Sequence, residues 1–165
     1  MCHVGGVQDD GTPLVLPTLF VRVDDHVYVH GSPASRLWRA GKKGVDLCLT
    51  VMLMDAFVMA KSAFHHSVNY RSVVVFGTAE EVTDDAEKAK VLLALVDHVH
   101  PGRSAECRAP NEKELKATLV LRLPLDEASA KVRDGGPIDD EEDLDLPYWA
   151  GIIPVRSVRD EPVLS

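Results

Sequence analysis

The sequence has no pair of cysteines at CxxC spacing. Cys2, Cys48 and Cys107 stand far apart and are odd in number. That gives no zinc signature and suits a reducing cytosol, so the expected location is cytoplasmic. No apolar run approaches the length a membrane span needs, and MCHVGGVQDDG at the start lacks the basic and apolar regions of a signal peptide. Positive charge is scarce as well. Against 26 Asp and Glu there are 18 Lys and Arg, a formal net charge of −8. Such a chain is not built to follow a phosphate backbone, which excludes a general nucleic-acid binder. Neither an internal repeat nor a domain linker is evident, so 1–165 is expected to form one domain with its own core.

What is present is concentrated in Ser62–Gly77, SAFHHSVNYRSVVVFG. His65, His66, Asn69, Tyr70, Arg71 and Ser72 precede Val73-Val74-Val75-Phe76, a short apolar run with strong strand preference. Polar and proton-carrying groups at the mouth of a strand are where scaffolds present ligands. This stretch reads as half of a ligand site.

The remainder is mostly strand. Val4–Gln8 and Pro13–Val23 flank the turn signal Asp9-Asp10-Gly11 and predict a hairpin, with Pro13 and Pro17 suited to an edge. Asp24-Asp25 leads into His26–His30. Two strands are expected over 45–53 and 57–63, joined near Met54-Asp55-Ala56, then Leu119–Leu125 and a last strand led by Tyr148 and Trp149. Asp84 with Glu87 predicts a capping box on a helix whose apolar stripe is Val91, Leu92, Leu95, Val96 and Val99. Asn111 with Glu114 predicts a second helix, and 126–133 a short helical turn. The acidic run 134–145 is expected to be a solvated, mobile loop. Hairpin-like pairs without βαβ alternation make the fold class mainly β, an antiparallel barrel with flanking helices.

Gly31-Ser32-Pro33 predicts a helix start with Ser32 as N-cap and Pro33 at its first position. Its free N–H groups, with Ser32, Ser35 and Arg36, form a coherent anion site, although a solvated basic surface helix is an equal reading. Cys48 is read as a small buried residue rather than a nucleophile. His98 and His100 near a helix C-terminus take a structural role.

HGSPASR at 30–36, CLTVMLMDAFVMAKSAFHHSVNYRSVVVFG at 48–77, LDEASAKVR at 125–133 and LPYWAGIIPV at 146–155 resemble the flavin-nucleotide-binding branch of the pyridoxamine 5'-phosphate oxidase-like superfamily, to which nitroimidazole-reductase proteins are related. The resemblance implies an FMN-binding split β-barrel, a homodimer with flavin mononucleotide at its interface, and an oxidoreductase. It implies that His30, Gly31, Ser32, Ser35 and Arg36 lie beside the flavin phosphate and ribityl chain. The backbone of Cys48, Leu49, Thr50 and Val51 would edge the ring, and Asn69, Tyr70, Arg71 and Ser72 would complete the pocket. His65 would act as a ring-side donor, and Trp149 would come from the other subunit. Family members carry an N-terminal segment before the strand that here starts at Met1, so this chain is expected to lack it. Gly6 stands where a larger apolar residue is more frequent, which is expected to loosen packing. Only Arg156 and Arg159 offer a C-terminal basic cluster, which argues against a true pyridoxamine-phosphate oxidase.

Three alternatives remain at this point. One is a flavin- or haem-binding module without turnover, with His65-His66 as a source of an axial ligand. Another is a metal-dependent hydrolase using His65, His66 and Cys48. Adjacent histidines on an extended segment point to opposite faces, which argues against a shared metal. The last is a truncated copy that binds nothing.

Overall fold

The structure is a computed structural model; it describes residues 1–163, apart from the surroundings of residues 40 and 41. The last two residues of the expected 1–165 domain lie outside the described residues. The chain divides into two compact units, one of Met1–Val51 with Val73–Ser129, the other of Met52–Ser72 with the chain from Ala130 onward.

In the first unit, β1 (Cys2–Val7) and β2 (Pro13–Thr18) form the expected hairpin, registered Val7 to Pro13. Gly11 has φ +82° in its turn, a conformation that glycine adopts without a Cβ clash. β2 is an edge strand, which accommodates Pro13 and Pro17. The stretch expected to run on to Val23 breaks after Thr18. β3 (Phe20–Val23) joins a second sheet, ordered β3-β4-β8-β7, with β4 (His26–Gly31), β7 (Glu80–Glu81) and β8 (Leu119–Pro124).

Both faces of that second sheet are covered. Val27 and Val29 of β4 with Leu119, Leu121 and Leu123 of β8 face a core shared with Val4, Leu47, Leu49, Val75 and Trp38. The intervening Tyr28 and Val120 face α2 (Asp85–Val99), whose Val91 and Leu95 close a smaller core. Alternation thus assigns each β4 residue to one of two layers. Asp84 caps α2 through Glu87 N at 2.7 Å. The reciprocal half of the expected capping box is absent. The Glu87 carboxylate instead accepts from Tyr28 Oη at 3.1 Å and Arg122 Nη1 at 3.2 Å.

α3 (Glu112–Ala117) carries a complete capping box between Asn111 and Glu114. Arg108 forks onto the Glu114 carboxylate at 2.6 and 2.8 Å. That fork, helped by the Asn111 N–H, holds the carboxyl down at about 2 from its ordinary 4.5. A depressed folded value stabilises α3 fully above the ordinary value, and the contribution is lost as pH falls through about 2. An NMR titration of Glu114 is expected to place its midpoint near that value; a midpoint at the ordinary carboxylate value would contradict the fork.

β5 (Asp46–Met59) is one long strand, not two. Met54-Asp55-Ala56 does not turn, because Asp55 is held extended by partners. Its carbonyl accepts from Val155 N at 2.8 Å, and its carboxylate takes the Arg71 fork. β6 (Ser67–Thr78) lies beside β5, and β9 (Glu127–Arg133) beside β6. Residues 127–133 were expected to be helical; pairing with β6 overrides a helix-forming composition. In the second unit, β10 (Gly151–Pro154) pairs antiparallel with Ala56–Met59 of β5.

Candidate functional site

The expected site residues fall in both units. In the first, His30 and Gly31 are neighbours on β4 with opposite outlooks. A Cβ at position 31 would lie 2.7 Å from Trp38 Cε2 and closer still to Cδ1 and Nε1. Gly31 is therefore the seat of a buried indole. His30 shares the outlook of Tyr28 and lines a cavity beneath α2. None of Ser32, Ser35 or Arg36 lines that cavity, so the structure separates His30 from the segment expected to accompany it.

Ser32 is not an N-cap. Its Oγ accepts from Ala34 N at 3.2 Å and its carbonyl from Ser35 N at 3.0 Å, forming a turn through Pro33. α1 (Arg36–Lys42) starts after it, and the Ser35 carbonyl accepts from Arg39 N at 3.0 Å. Gly44, with φ +74°, follows the helix. Arg36 and Arg39 line a shallow pocket with Asp9, Asp10 and Lys43, where Lys43 Nζ meets Asp9 Oδ2 at 2.6 Å. The local cations are thus interleaved with carboxylates.

On β5, Leu49 is buried in the core, while Cys48 and Thr50 face away from it, their Sγ and Oγ1 3.9 Å apart. β1 pairs with His3 opposite Thr50 and Gly5 opposite Cys48, and β6 takes the other side of β5. The backbone expected to edge a flavin ring is therefore interior to a sheet, and Cys48 and Thr50 can offer only side chains. Val51 packs partly buried against the core. Gly6 leaves no void, since Leu47 Cδ2 and Leu37 Cδ1 would meet its Cβ at 2.7 and 3.0 Å.

In the second unit, Asn69 is 3 % exposed and fully engaged. Its Oδ1 accepts from Arg133 Nη1 at 2.5 Å and Gly135 N at 3.2 Å, and its Nδ2 donates to Gly135 O at 3.0 Å. Asn69→Ala is expected to destabilise the unit by about 2–3 kcal/mol, because three hydrogen bonds to two half-buried residues, Arg133 and Gly135, are lost. Urea unfolding measures the loss, and the Gly135 amide should lose hydrogen-exchange protection. Arg71 forks onto Asp55 at 2.8 and 3.0 Å. Lys131 Nζ stands 5.8 Å from the Tyr70 ring centroid. Ser72 is half-buried beside Arg71.

The two histidines are held differently. His65 closes a 3-10 turn over Ala63–His65, and its Nε2 meets Asp140 Oδ2 at 3.0 Å. That carboxylate raises the imidazole above its ordinary value. His66 turns its Nδ1 to Ser62 O at 2.9 Å. A carbonyl accepts only from an N–H, so Nδ1 carries a proton and, in the neutral ring, the lone pair is on Nε2. His66 lines a cleft of about 330 Å³ with Met59, Lys61, Pro147, Tyr148 and Trp149. Trp149 is 65 % exposed there.

The acidic run builds this site. Asp139 Oδ1 accepts from Lys61 N at 2.8 Å and Ser62 N at 3.1 Å, and Lys61 Nζ donates to Leu146 O at 2.7 Å and to Leu144 O. The run expected to be a solvated loop is pinned against the histidine turn. Sequence reasoning named His66 only together with His65, and it passed over Lys61, Asp139 and Asp140 as site residues. The local signal for His66 was its place four residues after Ser62, the carbonyl it binds. Among the described residues, no group of three or more His, Cys, Asp or Glu is placed to hold a metal ion.

A family model described as pyridoxamine 5'-phosphate oxidase matches residues 1–132. The fold is similar to that of the flavocytochrome Anf3 from Azotobacter vinelandii, with 46% identity and a TM-score of 0.91 over 99% of this chain and 76% of that one. It is similar to a FAD and heme binding protein from Mycobacterium smegmatis, with 39% identity and a TM-score of 0.93 over 99% of this chain and 80% of that one. A protein attributed to 5-nitroimidazole antibiotic resistance from Bacteroides thetaiotaomicron shares the fold at 21% identity and a TM-score of 0.64, over 78% of this chain and 74% of that one. Comparison with curated protein sequences gave no match.

Proposed function

Because this chain belongs to the pyridoxamine 5'-phosphate oxidase family, we propose that it is a split-barrel protein that binds a flavin and a haem, an oxidoreductase of flavocytochrome type. The observation that carries the proposal is 46% identity along 99% of the chain to a flavocytochrome. The His66 geometry supports it independently: a tautomer fixed by a backbone carbonyl, with Nε2 free beside aromatic and apolar walls, suits an axial haem ligand. Flavin and haem supply one- and two-electron chemistry. The chain's own residues would hold and insulate them. In the first unit, Ser32, Ser35 and Arg36 would take the flavin phosphate, and Cys48 and Thr50 would face its ring. The resemblance points to FMN, whereas the relative at 39% identity is described with FAD, which favours the dinucleotide.

A homodimer is part of the same proposal and is supported by exposed apolar side chains of the second unit. Met52, Leu53, Phe57, Ile152 and Ile153 are each 42–55 % exposed, and apolar surface of this kind marks an interface. Trp149, exposed in the same unit, would reach the partner's flavin. Absorption of the protein as purified, with haem supplied during expression, tests the proposal. A Soret band together with flavin absorbance is expected, and mass spectrometry of the released flavin decides between FAD and FMN. Flavin without a Soret band would remove the haem, and neither chromophore would overturn the whole proposal.

A further inference from the structure

Apart from His30, none of the residues lining the cavity beneath α2 was expected at the flavin or the haem. The cavity lies wholly within the first unit and measures about 500 Å³, within the range of small-molecule pockets. Leu19, Leu92, Leu95, Val96 and Val99 give it apolar walls. At one wall stands His30, whose Nδ1 is buried without a hydrogen-bond partner among the described residues.

That orphaned atom fixes the chemistry the cavity offers. A buried N–H without an acceptor is costlier than a buried lone pair without a donor. Nδ1 therefore holds the lone pair and Nε2 the proton. Nδ1 is sealed while the residue is only half-buried and lines the cavity, so the edge His30 can present to a ligand is the N–H edge. Burial also pushes the imidazole below its ordinary value, which keeps it neutral. The cavity's two guanidiniums are already matched, Arg103 by Glu106 at 3.1 Å and Arg108 by Glu114. Of the cavity's basic side chains, His30 and His100 are the ones outside these two ion pairs.

We propose that this cavity binds a neutral, apolar small molecule whose one hydrogen-bond acceptor, a carbonyl oxygen, faces the His30 Nε2–H. Apolar walls supply affinity in proportion to the area they cover, and the His30 N–H sets orientation. A carboxylic acid is disfavoured, because its charge would enter an apolar cavity whose two guanidiniums are already paired.

Equilibrium dialysis of the full chain, with its cofactors as purified, against the neutral naphthyl ketone Prodan tests this. One saturable site is expected, and the analogue with the carbonyl reduced to methylene should bind about tenfold more weakly. His30→Phe keeps the ring and should weaken Prodan by a similar factor while leaving the analogue unchanged. Val96→Trp fills the cavity and should abolish binding of both. No saturable binding, equal affinity for ketone and analogue, or Prodan binding that survives Val96→Trp would each overturn the proposal. The ketone–analogue comparison uses the unaltered chain, so it decides even where a variant does not fold. Flavin and haem content measured in the same samples separates failure of this site from failure of the cofactor assignment.

Discussion

His66→Ala protein is expected to purify with flavin but without haem, its Soret absorbance falling at least about tenfold, equivalent to about 1.4 kcal/mol or more in affinity. The effect rests on one nitrogen. His66 Nδ1 donates to Ser62 O, so Nε2 would be the ligand atom, and His66 lines the cleft with Trp149 and Tyr148. His65 cannot take over in place, since its Nε2 is bound to Asp140. His65→Ala is expected to keep the Soret band and to loosen the turn instead. Imidazole added to His66→Ala protein should restore part of the band by filling the vacated ligand position. A normal Soret band in His66→Ala, or its loss in His65→Ala alone, would transfer the ligand role to His65. Flavin content is the internal control, because Ser32, Ser35 and Arg36 belong to the other unit.

The His65–Asp140 pair is what tells the two histidines apart. In sequence, HH offers no means of choosing, and the donor-rich stretch that follows favours either. The choice depends on which ring nitrogen finds a partner, and Asp140 lies 75 positions away. Contacts of that span are invisible to local pattern. The same limit accounts for the acidic run, whose composition describes a solvated loop while Asp139 caps two backbone N–H groups of the histidine turn. Features that close locally were legible. The α2 stripe, the Asp84 cap, the complete Asn111–Glu114 box and the β1–β2 hairpin all depend on residues within one or two turns of each other. Two elements were misread because local preference was outvoted by pairing. Asp55 resembled a turn until Arg71 and Val155 held it extended, and β9 resembled a helix until β6 claimed its edge. The family motifs do not distribute duties among the residues within them. His30 and Gly31 sit in one motif and face different layers.

Gly31 separates two explanations of why that motif carries a glycine. If the residue is small so that a flavin phosphate can approach, Gly31→Ala should reduce flavin occupancy and leave the melting temperature nearly unchanged. If it is small because Trp38 occupies the space, the substitution should act on stability. The structure favours the second. The colliding atoms belong to a rigid indole that is 5 % exposed, so no terminal rotamer change clears them. Gly31→Ala is expected to cost about 3 kcal/mol, the upper end for overpacking, and to lower Tm by about 6–12 °C. Gly6→Ala is the matched control. It meets only the methyl ends of Leu47 and Leu37, which can yield, and it should cost about 1 kcal/mol. Trp38→Leu removes the indole and is itself destabilising through the cavity it leaves. Combined with Gly31→Ala it should recover more than about 1 kcal/mol relative to the sum of the single changes, because the added methyl then enters vacated space. Additive losses would mean that the methyl and the indole never met. A Gly31→Ala protein that melts like the unaltered chain and has lost its flavin would return the glycine to the cofactor.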